Sequence, residues 1–153
     1  TPVLDRNARR ISQSMISAVS NRGLMRFMLY DGALDADRFI SFLRRLIKDA
    51  ERKVFVIVDN LRVHHAKKVA TWAERRGEAI ELFYLPSYAP EHNPDEYLNA
   101  DLKQKLRQKP QPGCKDELVD NTRRVMRAIQ RSPDRIRAYF RADPVRYAAD
   151  CQV

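Results

Sequence analysis

The amino-acid sequence predicts an α/β fold in which helices flank a mixed sheet and further helices end the chain. The first observation is the run Val54–Val58, whose uninterrupted β-branched and aromatic residues are typical of a strand buried on both faces. The second is the alternation of strand-like runs with segments of helical periodicity, which indicates helices packed on a sheet. The third is a pair of strand-like runs near the start, which adds antiparallel strands to that sheet.

The antiparallel pair consists of Ile11–Val19 and Leu24–Tyr30. Their connector, Ser20–Gly23, contains Asn and Gly, and these residues favour a tight hairpin. The predicted order along the chain is therefore β-β-α-β-α-β-α, followed by a helical C-terminal region.

Helices are predicted where apolar residues recur at helical spacing between capping and breaking residues. Asp35 caps the first helix, Gly77 ends the second, and Asn93 caps the third with Pro94 in its first turn. After the hairpin, the predicted ranges are a helix following Asp35, strand Val54–Val58, helix Val63–Arg76, strand Ile80–Leu85, and helices Asn93–Gln108, Lys115–Arg131, Pro133–Arg141 and Pro144–Ala149.

Length and composition limit the class of protein. With 153 residues, the chain has the size of one domain with a real core. No apolar run approaches the roughly 20 residues that cross a bilayer, so we expect no membrane association. Cys114 and Cys151 lie far apart without a second ligand pair, which excludes a zinc pattern and a disulfide framework and favours a reducing compartment.

The net charge of +9 is concentrated in the last third of the chain. Between Lys103 and Arg146, basic residues outnumber acidic ones by more than two to one. Such density is typical of a nucleic-acid partner, although a solvated helical surface is the alternative. Aromatic residues are not interleaved with these basic ones, which argues against a module that binds single strands by base stacking.

Two acidic residues stand where ligands bind in α/β sheets. Asp59 follows the buried strand Val54–Val58, and Glu96 lies at the start of the helix after the next strand. Side chains at the carboxyl ends of such strands face the ligand crevice. Each has a structural alternative, because Asp59 could cap a turn and Glu96 could form a capping box with Asn93. Together they are what a divalent-metal site for phosphoryl transfer requires, since Mg²⁺ prefers hard oxygen ligands.

The sequence motifs around these two acids resemble those of a known protein family. Asp59-Asn60, three further residues and His64 form the first motif, and Leu-Pro-Ser-Tyr-Ala-Pro-Glu-His-Asn-Pro-Asp-Glu from Leu85 to Glu96 forms the second. They resemble the transposases of the IS630 and Tc1/mariner superfamily, and the similarity extends over almost the whole chain. The resemblance implies a ribonuclease-H-like catalytic domain with a triad of acids.

By this resemblance, Asp59 is the second catalytic and metal-binding acid and Glu96 the third. Asn60, His64 and Asn93 match accompanying polar positions that support the acids, whereas His65 is expected at the surface. The implied cofactor is Mg²⁺ or Mn²⁺. The implied partners are double-stranded DNA and a second copy of the chain. Phosphate contacts are expected from Lys103, Arg107, Arg123, Arg124, Arg127 and Arg131.

The first acid of the family has no counterpart in this sequence. It lies on a strand that precedes the Thr1-Pro2 segment, and neither Asp5 nor Asp31 matches its place. We therefore expect an N-terminally truncated domain, with residues 1–110 as an incomplete catalytic core and 111–153 as its basic helical region. That first strand is central in ribonuclease-H-like sheets, so Ile11–Val19 and Val54–Val58 are each expected to have an unpaired edge.

The expected function is metal-dependent DNA strand cleavage and strand transfer in cut-and-paste transposition. Without the first acid, we expect this chain alone to be inactive. The alternative is a catalytically inactive remnant that binds DNA or a full-length partner without cleaving. The resemblance implies the bacterial cytoplasm, with association to the nucleoid when the protein is on DNA.

Overall fold

The computed structural model describes residues 11–59, 61–86, 93–141 and 145, together with the backbone of residues 3–4. The strands are β1 (Val3–Leu4), β2 (Ile11–Ser12), β3 (Ser14–Val19), β4 (Met25–Tyr30), β5 (Val54–Val58) and β6 (Ile80–Tyr84). The helices are α1 (Ala36–Lys48), α2 (Lys67–Arg75), α3 (Asp95–Arg107), α4 (Lys115–Gln130) and α5 (Pro133–Ala138), with a 3₁₀ turn at Arg62–His65 between β5 and α2.

The described residues contain both kinds of strand pairing that the sequence predicted. Strands β3 and β4 form an antiparallel hairpin, in which Ser14 lies opposite Tyr30. Strands β5 and β6 are parallel, with Val58 beside Tyr84. Among the described residues, each of these two pairs is a separate two-stranded sheet, and the short β1–β2 pair forms a third. The predicted α/β class is confirmed, and β3 and β5 each have one paired edge in this part of the chain.

The predicted hairpin turn depends on Gly23. Its φ angle of +88° lies in the left-handed region that side chains with a Cβ rarely adopt. A Cβ at this position would also lie 2.7 Å from the carbonyl oxygen of Pro133. The turn is closed by hydrogen bonds from the Gly23 amide to the Ser20 carbonyl and from the Ser20 amide to the Leu24 carbonyl. Glycine is therefore required both by the backbone and by the neighbouring helix α5.

The described elements fall into two compact units. The first unit contains β1–β4 and α3–α5, and its core is apolar. Leu98, Leu102 and Leu106 recur at four-residue spacing and bury one face of α3. The opposite wall of this core comes from the hairpin and from α4 and α5, through Met25, Leu118, Val125, Met126, Ile129 and Ile136.

The second unit contains α1, β5, the 3₁₀ turn, α2 and β6. Helix α1 begins as predicted, because the Asp35 carboxylate accepts a hydrogen bond of 2.8 Å from the Arg38 amide. Its buried face packs with α2 and with the 3₁₀ turn, where the Phe39 ring lies against His64. The buried side chains of this unit include Phe39, Ile40, Phe42, Leu43, Val58, Val69, Trp72 and Ile80.

Several predicted boundaries differ from the structure. The strand predicted at Ile11–Val19 is interrupted at Gln13, and the helix predicted at Pro133–Arg141 ends at Ala138. The predicted helix Val63–Arg76 is divided at Ala66 into the 3₁₀ turn and α2. The prediction that Asn93 caps the third helix is wrong: α3 starts at Asp95, and Pro94 occupies the N-cap without a side-chain hydrogen bond. The reason is that the Asn93 side chain bonds to another residue, as described below. The predicted helix Pro144–Ala149 lies outside the described residues except for Val145.

Within the described ranges, the helices are too short or too polar for any of them to span a membrane.

Candidate active site

Asp59 occupies the carboxyl end of β5. The parallel pairing extends to this point, because the Leu85 amide donates a hydrogen bond of 2.8 Å to the Val58 carbonyl. Val58 is buried and Asp59 is half-buried, so the chain passes from the core to the surface at this residue. A carboxylate is thereby held at the strand end, where the sequence predicted a ligand crevice.

The side chain of Asn93 holds the Asp59 carboxylate. Its Nδ2 donates a hydrogen bond of 2.9 Å to Asp59 Oδ1. In the described part of the chain, Oδ2 of Asp59 has no hydrogen-bond partner and the carboxylate has no Lys or Arg partner. The two motifs that carried the family resemblance are thus connected by one hydrogen bond. One carboxylate oxygen is oriented by an amide, and the other remains open to a ligand.

The backbone of Asp59 is held by His64. His64 Nδ1 lies 2.7 Å from the Asp59 carbonyl oxygen, and since a carbonyl only accepts, Nδ1 carries the proton. The ring is 7% exposed and lies 4.6 Å from the Phe39 ring, centroid to centroid. Burial lowers the pKa of His64, and this effect outweighs the hydrogen bond to the Asp59 backbone and the Asp59 charge. His64 is therefore a buried, neutral support of the acid.

Tyr84 extends this support from the adjacent strand. Its hydroxyl donates a hydrogen bond of 2.7 Å to the His64 carbonyl. Its ring stacks on the ring of His65, with centroids 4.0 Å apart and an interplanar angle of 20°. Burial raises the pKa of Tyr84, so the hydroxyl stays protonated and able to donate. His65 is exposed, as the sequence predicted.

Glu96 is the second residue of α3 and is exposed. Its neighbour Asp95 accepts a hydrogen bond of 2.7 Å from the hydroxyl of Ser17 on β3. Both acids complement the positive end of the helix. Within the described ranges, Glu96 forms no hydrogen bond or ion pair, and the alternative capping box with Asn93 is not formed. The carboxylate of Glu96 is therefore free for a ligand.

The donor atoms at both acids suit Mg²⁺ or Mn²⁺. Carboxylate oxygens are hard ligands, and such ions need one or two of them when phosphate oxygens and water complete the shell. Asp59 and Glu96 lie in different units of the structure, and each half-site is described by itself. Among the described residues, no three His, Cys, Asp or Glu side chains cluster to hold a metal. The residue types fit the implied ion.

Helix α3 is tied to α5 by a network around Asp101. The Asp101 carboxylate accepts hydrogen bonds from the Arg135 guanidinium and, at 2.5 Å, from the Tyr139 hydroxyl. Burial alone would raise the pKa of Asp101, but the hydrogen bonds from Arg135 and Tyr139, together with the charges of Arg135 and Lys105, outweigh it and lower the pKa. Burial, assisted by the Asp101 carboxylate, raises the pKa of Tyr139. This network holds the helix that carries Glu96.

The predicted DNA-binding residues are all exposed. Arg123, Arg127 and Arg131 recur at four-residue spacing on the side of α4 away from buried Leu118 and Val125. In the described part of the chain, none of the six forms an ion pair with an acidic residue. The full set of exposed cations comprises Lys103 and Arg107 on α3, Arg123, Arg124 and Arg127 on α4, and Arg131 at its end.

Some residues named from the sequence lie outside the described part of the structure, and some residues near the site were not predicted at all. Asn60 and Asp5 lie outside the described residues. Asp31 is ion-paired with Lys115, which gives it a structural role. Tyr84 and Asp101 were not predicted as residues of interest, because their partners are 20 and 34 residues away. No local sequence motif indicates such long-range contacts.

Comparisons with known proteins bear on the family and the fold of the chain. A family model described as DDE superfamily endonuclease matches residues 1–119. No curated protein matches the chain. Among solved structures, the chain is similar to the catalytic domain of Mos1 mariner transposase, with a TM-score of 0.59 and 17% sequence identity, over 94% of this chain and 79% of that one. This likeness confirms the predicted ribonuclease-H-like fold. From the family match, the chain belongs to the DDE superfamily endonucleases.

Proposed function

We propose that the chain is the catalytic portion of a DDE transposase of the IS630 and Tc1/mariner type. Its reaction is metal-dependent cleavage of double-stranded DNA at transposon ends, followed by strand transfer to target DNA. The observation that carries the proposal is the hydrogen bond from Asn93 to Asp59 Oδ1, with Oδ2 left open. An acid that served only as a turn cap would use its oxygens on backbone amides, and Asp59 forms no such bond with the residues that the structure describes.

Asp59 and Glu96 are the proposed metal ligands, with Mg²⁺ or Mn²⁺ as the ion. When bound, the ion activates the attacking hydroxyl and stabilises the leaving oxygen. Asp59 contributes Oδ2 while Asn93 and His64 fix its side chain and backbone. Glu96 contributes its free carboxylate from the first turn of α3, and only two residues separate it from Asn93 in the chain. Asn60 is a further proposed support beside Asp59.

The exposed cations of α3 and α4 are the proposed DNA-binding residues. Phosphate contacts from Lys and Arg provide affinity without sequence preference, and they position DNA for chemistry elsewhere. The stripe Arg123, Arg127 and Arg131 suits this role because its members share a solvent-facing side of one helix.

In the active complex we propose a homodimer that acts on the two transposon ends. We propose that it works in the cytoplasm of a bacterial cell.

The first acid of the family triad has no counterpart among the 153 residues. The test therefore uses two proteins, the 153-residue chain and the same chain extended upstream through an acid-bearing strand. Each is incubated with Mg²⁺ and transposon-end DNA, and nicking is measured on gels. We expect nicking by the extended protein and none by the shorter one.

Isosteric variants then test the two acids in the extended protein. Asp59→Asn and Glu96→Gln should each abolish nicking, because an amide does not replace an anionic ligand. Asp134→Asn is the matched control, since Asp134 is exposed on α5. Retained nicking in either active-site variant would show that the site is assigned wrongly. DNA binding without nicking by the extended parent protein would favour the inactive-remnant alternative.

A further inference from the structure

Two aromatic rings are stacked at the surface beside Asp59. The rings of His65 and Tyr84 are nearly parallel, with centroids 4.0 Å apart. His65 is exposed and Tyr84 is 37% exposed, so the pair does not belong to the core. Two rings already stacked on each other lose little conformational freedom when a third flat group joins them.

The pair is connected to the candidate active site by hydrogen bonds. Tyr84 lies beside Val58 in the parallel pairing, and its hydroxyl bonds to the His64 carbonyl at 2.7 Å. The His64 ring in turn holds the Asp59 carbonyl at 2.7 Å. The orientation of the rings is therefore coupled to the backbone that carries the acid. A ligand on the rings would be held at a defined place relative to Asp59.

A cationic residue, Arg62, lies in the same 3₁₀ turn as His65. Arg62 precedes His65 by three residues in the 3₁₀ turn, and residues at this spacing lie on the same side of such a turn. Arg62 is exposed and, within the described ranges, forms no ion pair. Lys68 on the following helix is by contrast paired with Asp37. The 3₁₀ turn thus carries an exposed cationic residue on the same side as His65, which suits a ligand that joins a flat ring to an anion.

We propose that His65 and Tyr84 form a stacking platform for one unpaired nucleobase of the DNA substrate, with Arg62 on an adjacent phosphate. The inference rests on the proposed function, since it assumes that DNA lies at Asp59. A nucleobase presents its face only when it is out of the duplex, so the ligand is an unpaired base. Stacking on aromatic residues beside basic ones is the general mode of single-strand binding.

The test measures binding by the 153-residue chain in EDTA, so that metal chemistry does not contribute. The probes are a fluorescently labelled oligothymidylate and an abasic oligonucleotide of equal length, which has the phosphates but no bases. We expect tighter binding of the oligothymidylate. His65→Ala should weaken oligothymidylate binding about tenfold, within the range for one base–aromatic stack, and leave abasic binding unchanged. His65→Phe should restore it, because the ring returns without the imidazole.

The variant Arg62→Ala measures the contribution of the cation to binding separately from that of the rings. It should weaken binding of both probes to the same extent, because both carry phosphates. Arg75→Ala is the matched control, since Arg75 is exposed at the other end of α2. Circular dichroism confirms that each variant is folded, which is expected because the substituted side chains are exposed.

Several results would overturn the platform. These are equal binding of the two probes by the parent chain, no binding of either, or an equal loss for both in His65→Ala. Failure of the proposed function has a different signature, because it appears as absent nicking by the extended protein with Mg²⁺ while the base-dependent binding in EDTA persists. The two proposals can therefore fail separately.

Discussion

Asn93 Nδ2 donates a hydrogen bond of 2.9 Å to Asp59 Oδ1, across 34 residues of sequence. The bond connects the end of β5 with the residue that directly precedes the entry into α3. A side-chain amide at this place neither neutralises the acid, as Lys or Arg would, nor competes for both of its oxygens. Partners of this kind orient a ligand and tune its affinity for metal.

Asn93→Ala is expected to weaken binding of Mn²⁺ about tenfold, because the Asp59 side chain would lose the group that orients it. Electron paramagnetic resonance of free Mn²⁺ during a titration measures this affinity. Asn121→Ala on α4 serves as the control, since Asn121 lies away from Asp59 in sequence and on a different unit. Equal affinities for the Asn93 and Asn121 variants would show that Asn93 does not orient the acid.

Stability should fall in mild acid because His64 is buried. Its folded-state pKa is below the ordinary value of 6.5, so the unfolded chain binds more protons than the folded one as pH decreases. The stabilising contribution is complete above pH 6.5 and is lost as pH falls toward the folded-state pKa. Urea unfolding at about pH 7.5 and about pH 5.5 measures the difference.

His64→Gln should reduce this pH dependence, because the titrating group is removed. His65→Gln is the matched control, since the adjacent ring is exposed, and it should retain the full dependence of the parent. The same dependence in the parent and in both variants would mean that another group causes it.

The network around Asp101 should contribute to the stability of the first unit. Arg135→Ala would leave a carboxylate that is only 12% exposed without its charged partner. We expect a loss of about 1 kcal/mol in the free energy of unfolding, at the low end for charged hydrogen bonds because Arg135 itself is partly exposed. Arg137→Ala is the control, since its partner Asp134 is almost fully exposed, and it should change stability by less than about 0.5 kcal/mol.

The salt dependence of DNA binding tests the stripe on α4. Arg127→Ala should weaken binding to all duplex sequences and reduce the slope of log affinity against log salt by about 1, because one phosphate contact is lost. Fluorescence anisotropy over a series of salt concentrations gives both quantities. Arg137→Ala is again the control, because its guanidinium is already paired with Asp134. An unchanged slope for Arg127→Ala would place the DNA on another surface.

Much of the architecture could be predicted from local patterns. The hairpin with its turn at Gly23, the cap at Asp35 and the strand Val54–Val58 were predicted from residues that are neighbours in sequence. The start of α3 was predicted wrongly because Asn93 is a favoured cap by propensity. The Asn93 side chain instead donates a hydrogen bond to Asp59, 34 residues earlier in the sequence. Tertiary contacts of this kind override propensity.

The sequence by itself determined the α/β class, the place of Asp59 after a buried strand, the place of Glu96 at a helix start and the concentration of positive charge near the C-terminus. These features follow from periodicity and composition, which act over a few residues. Only the tertiary structure decided that Asn93 holds Asp59, that His64 is buried beneath it and that His65 stacks on Tyr84. Such pairs form because packing brings distant segments together, and no local pattern encodes the partner.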